Sequence, residues 1–69
     1  MDGDGEIKGS VPNAPVVIGE HVWIGAHTLI FKGVTIGDKS VVAAGSIVTH
    51  DIPNGVLVAG NPARVVRTL

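Results

Sequence analysis

Three histidines, His21, His27 and His50, are the side chains of this chain best suited to move a proton near neutral pH. Imidazole acts as a general base when a hydroxyl must be deprotonated, and neutral imidazole also ligates zinc. The carboxylates Asp2 and Asp4 lie in an acidic, Gly-rich stretch, MDGDGEIKGSVPNA, that holds no histidine. A carboxylate is a feeble base towards a hydroxyl because it ordinarily ionises well below neutral pH, so a solvated acidic loop is the simpler reading of Asp4. Near the other end stand Arg64 and Arg67, whose guanidinium groups suit phosphate by donating parallel N–H bonds or else solvate the tail. With no cysteine in the chain, neither a disulfide framework nor a thiolate zinc site is available.

The elements that hold these residues follow from a six-residue period. Ile18, Ile24, Ile30, Ile36, Val42 and Val48 recur every sixth residue. Two residues before each stands Val16, Val22, Thr28, Val34, Ser40 or Ser46. Residues two apart on a strand share a face, so both series point inward, and Val17, Trp23, Leu29, Thr35, Val41 and Ile47 point outward. A helix of 3.6 residues per turn would scatter this period around its circumference, which excludes helix over residues 16 to 51. Three units close one triangular coil. Residues 15 to 32 form the first coil and 33 to 50 the second, with Ile18 over Ile36, Ile24 over Val42 and Ile30 over Val48. His21, His27 and His50 all fall at turns between strands, where exposed corner residues are expected, and so do the solvated Lys32, Asp38 and Lys39.

Composition agrees with an all-β chain. Its hydrophobic fraction of 45% rests on Val, Ile, Ala and Leu, with one Trp, one Phe and no Tyr, and ten glycines mark regular tight turns. The formal charge of −1 gives no basic field for nucleic acid or an anionic membrane, so neither is an expected partner. No run reaches membrane-spanning length and the first thirteen residues lack the apolar core of a signal peptide, which makes the cytoplasm the default location. At 69 residues a single small domain buries a modest fraction of its surface and folds alone only marginally, so a partner surface is expected.

The stretches PVVIGEHVWIGAHTLIFKGVTIGDKSVVAAGSIVTHDIP and GNPARVVR resemble the final coils of hexapeptide-repeat acetyltransferases of the maltose, galactoside and capsular-sugar type, over residues 15 to 67. The resemblance implies a left-handed parallel β-helix of two to three coils. It divides the chain into a leader over 1–14, the β-helix over 15–52 and a C-terminal cap over 53–69, with Pro53 and Pro62 fixing the exit and Val56, Leu57, Val58, Val65 and Val66 covering the lower end. It also implies acetyl transfer from coenzyme A to a sugar or other hydroxyl compound, in a cleft between subunits of a trimer. Carried over by position, Ala26, Ala44 and Thr49 line the pantetheine arm, and Arg64 and Arg67 meet the phosphates of the coenzyme. His50 stands where the family has Lys in Val-Thr-Lys-Asp, which weakens phosphate binding because imidazole is only partly charged near neutrality.

The family's base is an upstream histidine, often in Asp-x-His. Here Asp2-Gly3-Asp4 puts a carboxylate in that place, so the catalytic residue stays unassigned. The resulting expectation is a shortened acetyltransferase-like chain; the alternative is a non-catalytic or truncated module that trimerises or binds coenzyme A. A zinc hydratase branch of the same fold shares three histidines across a subunit boundary, but its HxxxxH spacing is missing and no metal is expected. Val17, Trp23, Phe31, Val41 and Ile47 are the apolar residues expected at or near the subunit contacts.

Overall fold

A computed structural model describes residues 14–69. Among them the chain forms eight strands and no helix: β1 Val17–Ile18, β2 Trp23–Ile24, β3 Leu29–Ile30, β4 Thr35–Ile36, β5 Val41–Val42, β6 Ile47–Val48, β7 Val56–Gly60 and β8 Ala63–Thr68. The first six are two residues long because a corner interrupts the backbone in every hexapeptide. His21, His27, Gly33, Lys39 and Gly45 occupy the same place in successive repeats, and all have positive φ, between 58° and 80°. A left-handed residue at a fixed position turns each strand into the next. Glycine takes that conformation without a Cβ penalty, and histidine is among the side chains that tolerate it.

Parallel pairing stacks the coils in the expected register. Ile18 lies on Ile36, Ile24 on Val42 and Ile30 on Val48. Ladder bonds continue through the corners, for example from Gly19 N to Ile36 O at 2.8 Å and from Phe31 N to Val48 O at 2.9 Å. We call the three corners A (between β1 and β2, and between β4 and β5), B (between β2 and β3, and between β5 and β6) and C (between β3 and β4, and after β6).

After Val48 the period changes. Ile52 bridges Ile36 in parallel, and Val58 lies under Val42. From Ile36 to Ile52 is therefore 16 residues (52 − 36), where Ile18 to Ile36 is 18 (36 − 18). The lower coil has lost two residues at corner C, where Asp51 Oδ1 accepts from Thr35 N at 2.9 Å. Parallel stacking thus runs on to Val58, and Val56 and Val58 are buried core residues of a third coil instead of a cover for an open end. The chain then reverses, and β8 runs antiparallel to β7 below it.

The buried core is a single column: Val34, Ile36, Val42, Val48, Ile52, Val56, Val58 and Ala63. Removing each Val or Ile from water contributes roughly 1.5–3 kcal/mol. Ser40 and Ser46 are fully buried in the smaller inward series. Ser40 Oγ donates to Pro53 O at 2.6 Å, and Ser46 Oγ donates to Ala43 O at 2.7 Å. Burial falls off towards the first coil: Ile18 points inward yet is 48% exposed, whereas Ile36 beneath it is inaccessible.

Candidate functional site

Corner B is built for close approach. A Cβ added to Gly25 would run into the backbone of Ala44, so only glycine lets the two coils meet at ladder distance there. Gly45 N donates to Ala26 O at 2.9 Å, which fixes Ala26 directly above Ala44. Both alanines are exposed, and their methyl groups leave a shallow, narrow strip along the axis of the coils. Below them Gly60 and Ala63 pair across the β7–β8 turn, with Ala59 opposite Arg64.

The two arginines reach the same face through a bulge. Arg64 pairs with Ala59 and Arg67 with Leu57, although they are separated by three positions on β8 and their partners by two on β7. The register slips between Leu57 and Val58, so Val66 is the extra residue. Without that insertion residues three apart would point to opposite sides. Cross-strand partners share a face, so Arg64 and Arg67 both stand on the outward face, about 7 Å apart along the strand. Both are exposed, and Arg64 Nη1 also donates to Ala63 O at 3.3 Å.

Arg67 ends a row across the four-stranded sheet β2-β5-β7-β8: Trp23 beside Val41, Val41 beside Leu57 and Leu57 beside Arg67. Trp23 is 60% exposed, and Val41 and Leu57 are half-buried. This apolar row with a guanidinium at its end is only partly legible in the sequence. The alternation predicts that Trp23 and Val41 face outward, while the two-residue shortening at corner C hides the register of Leu57.

Thr49 and His50 lie elsewhere, at corner C under Phe31 and Lys32. Thr49 is half-buried, and its Oγ1 lies 2.9 Å from His50 Nδ1 on the exposed surface. Within one copy the six expected binding residues thus form two groups. Ala26, Ala44, Arg64 and Arg67 share corner B and the adjoining sheet, while Thr49 and His50 occupy a different corner. The histidines are also dispersed: His21 at corner A, His27 at corner B and His50 at corner C. Positive φ at His21 and His27 gives these two a role as corner residues. Asp4, which the resemblance sets against the family's base, lies outside the described residues. Asp38 proved more than a solvated corner, since its Oδ1 accepts from Glu20 N at 2.9 Å.

The family described as hexapeptide repeat of succinyl-transferase matches residues 15–50. The chain belongs to this hexapeptide-repeat family. Galactoside O-acetyltransferase of Escherichia coli K12 is 56% identical over 62 residues, covering 90% of this chain and 30% of that protein. Among solved structures, a maltose O-acetyltransferase from Clostridium difficile 630 matches with a TM-score of 0.80 at 50% identity, over 81% of this chain and 30% of the other. A galactoside acetyltransferase in complex with coenzyme A matches with a TM-score of 0.77 at 61% identity, over 78% of this chain and 27% of that one. The chain therefore spans about a third of the length of these relatives. As a hexapeptide-repeat chain it is a left-handed parallel β-helix, the winding expected from the resemblance.

Proposed function

We propose that this chain is the coenzyme-holding part of an O-acetyltransferase, binding acetyl-coenzyme A for transfer to a sugar or another small hydroxyl compound. The observation that carries this reading is the pair of arginines brought by the β8 bulge to one face, next to the alanine strip of corner B. Coenzyme A is a thin pantetheine arm ending in phosphates. The strip suits the arm because no side chain beyond a methyl group projects at Ala26 and Ala44, and guanidinium groups about 7 Å apart suit separate phosphates. The coenzyme A complex of the galactoside acetyltransferase supports the choice of ligand.

On this reading Thr49 and His50 enter the same groove from a neighbouring copy, since they stand at another corner of their own. A trimer packed side by side, with Trp23 and Val41 at or near the contact, completes each site from two chains. Cytoplasmic location accompanies this reading; no helix among the described residues is long and apolar enough to cross a membrane. Calorimetric titration with acetyl-coenzyme A tests it. Binding that Arg64→Ala weakens at least tenfold is expected, and affinity unchanged by that substitution would refute the site.

A second reading is favoured by the histidines. They stand one to a corner, and two of them sit at positions that require positive φ. The chain then binds the coenzyme and assembles but transfers no acetyl group. Thiol release from acetyl-coenzyme A with a panel of sugars separates the two: turnover supports the transferase, and binding without turnover supports the second reading.

A further inference from the structure

The turn from Pro53 to Val56, at corner A of the third coil, is clamped onto two residues of the coil above. Ser40 Oγ donates to Pro53 O at 2.6 Å and accepts from Val56 N at 3.4 Å. Between these outer ties Asp38 N donates to Asn54 Oδ1 at 2.8 Å, and Gly55 N donates to Asp38 O at 2.9 Å. The side-chain amide of Asn54 and the backbone nitrogen of Gly55 are thus both held by the backbone of one residue.

Those two groups are also the partners of a chemical reaction. Asn54-Gly55 is the one Asn-Gly dipeptide in the chain; Asn13 precedes Ala14, and Asn61 precedes Pro62, which has no N–H to lose. Glycine sets no Cβ beside its nitrogen and its backbone turns freely, so the hydrogen bonds are the chief restraint on attack. The Gly55 nitrogen gives up its proton to solvent and bonds to Asn54 Cγ, the side-chain nitrogen leaves as ammonia, and a succinimide ring results. Water then cleaves one of the two C–N bonds of the ring. Cleavage at Cγ leaves aspartate at position 54, and cleavage at the backbone carbonyl carbon leaves isoaspartate.

We propose that Asn54-Gly55 is a spontaneous modification site, closed while the clamp holds and converted through the succinimide when corner A of the third coil opens locally. Its two products differ in consequence. Aspartate keeps the acceptor oxygen, and Asp38 shows the same corner working with a carboxylate, since its Oδ1 accepts from Glu20 N at 2.9 Å. Isoaspartate routes the main chain through Cβ and Cγ and so lengthens it by a methylene. Gly55 then falls out of register with Asp38, and so does its carbonyl, which accepts from Leu69 N at 2.8 Å, while Val56 is displaced from the core.

Peptide mapping of the 69-residue chain held at mildly alkaline pH, where the Gly55 N–H ionises more readily, follows the conversion. Position 54 should convert ahead of the other asparagines, roughly tenfold or more slowly in the folded chain than in urea-unfolded chain, because the reaction waits for local opening. Ser40→Ala removes the outer ties and leaves the inner ones, so it should speed conversion several-fold while the β-type circular dichroism persists. If that variant fails to fold, urea below the unfolding transition decides: the wild-type rate should rise there before the circular dichroism is lost. Asn54→Asp should melt close to wild type, and chains carrying isoaspartate, separated from the mixture, should melt lower. A folded chain that converts as fast as the unfolded one overturns the proposal. So do a folded Ser40→Ala chain that converts no faster than wild type, a rate that tracks global unfolding alone, conversion of Asn13 or Asn61 ahead of Asn54, and isoaspartate chains that melt no lower than Asn54→Asp.

Discussion

Asp38 Oδ1 accepts a hydrogen bond from Glu20 N of the coil above at 2.9 Å, and Asn54 Oδ1 accepts from Asp38 N at 2.8 Å in the coil below. The same corner thus repeats one device down the stack: a short side chain with a carbonyl-type oxygen closes a backbone N–H that the turn leaves unpaired. Asp38→Ala removes the acceptor and is expected to cost about 1 kcal/mol, a fall of several degrees in melting temperature for a domain of this size. Asp38→Asn keeps the oxygen, as Asn54 does, and should melt close to wild type. Thermal denaturation of the two variants side by side checks the assignment.

The buried serines are expected to differ. Ser40 Oγ donates to Pro53 O and is approached by Val56 N at 3.4 Å, so it joins two stretches of the lower coil. Ser40→Ala leaves the part-buried Pro53 carbonyl without that donor and the buried Val56 N–H without its acceptor, and should cost about 1–3 kcal/mol. Ser46→Ala should cost less, because Ala43 O still accepts from Ser46 N at 3.3 Å and lies 3.4 Å from Thr28 Oγ1. Urea unfolding that ranks Ser46→Ala as the more damaging change would contradict the hydrogen-bond assignment.

His27 is held at φ 60° by its place in the corner. A β-branched side chain is poorly accommodated there, so His27→Val should destabilise by about 1–2 kcal/mol while His27→Gly stays near wild type. Any thiol release from acetyl-coenzyme A should survive His27→Gly unchanged. Loss of turnover with stability intact would instead assign His27 to the chemistry.

Gly25→Ala puts a methyl group against the backbone of Ala44. Separating two coils at one corner is an overpacking change of about 1–3 kcal/mol or more, and it opens the strip between Ala26 and Ala44. Melting temperature and acetyl-coenzyme A affinity should fall together. A variant that melts lower but binds as before would place the coenzyme away from corner B.

Most of the fold was legible because the repeat states its inward positions six times in phase, and the pairs Ile18 with Ile36, Ile24 with Val42 and Ile30 with Val48 follow by counting. Counting fails after Val48. The two-residue shortening at corner C leaves Ile52 and Val58 out of phase, so within the two to three coils expected the stretch Val56 to Val58 reads as part of the cap. The β8 bulge was hidden for a related reason: Arg64 and Arg67 three apart on a regular strand would point to opposite sides, and only the pairing with Ala59 and Leu57 places them on one. Positive φ at His21, His27 and Lys39 was likewise out of reach, since only Gly33 and Gly45 announce that conformation by residue type.

On the proposed reading one coenzyme site draws Arg64 from one copy and Thr49 and His50 from another, and mixing two variants checks this. Chains carrying Arg64→Ala and chains carrying Thr49→Ala with His50→Ala are each expected to bind acetyl-coenzyme A poorly. Unfolded together and refolded at equal amounts, they should recover wild-type affinity in about one quarter of the sites, those that pair an intact corner B with an intact corner C. Two crippled variants that regain no tight sites on mixing would contradict the account and place the whole site within a single chain.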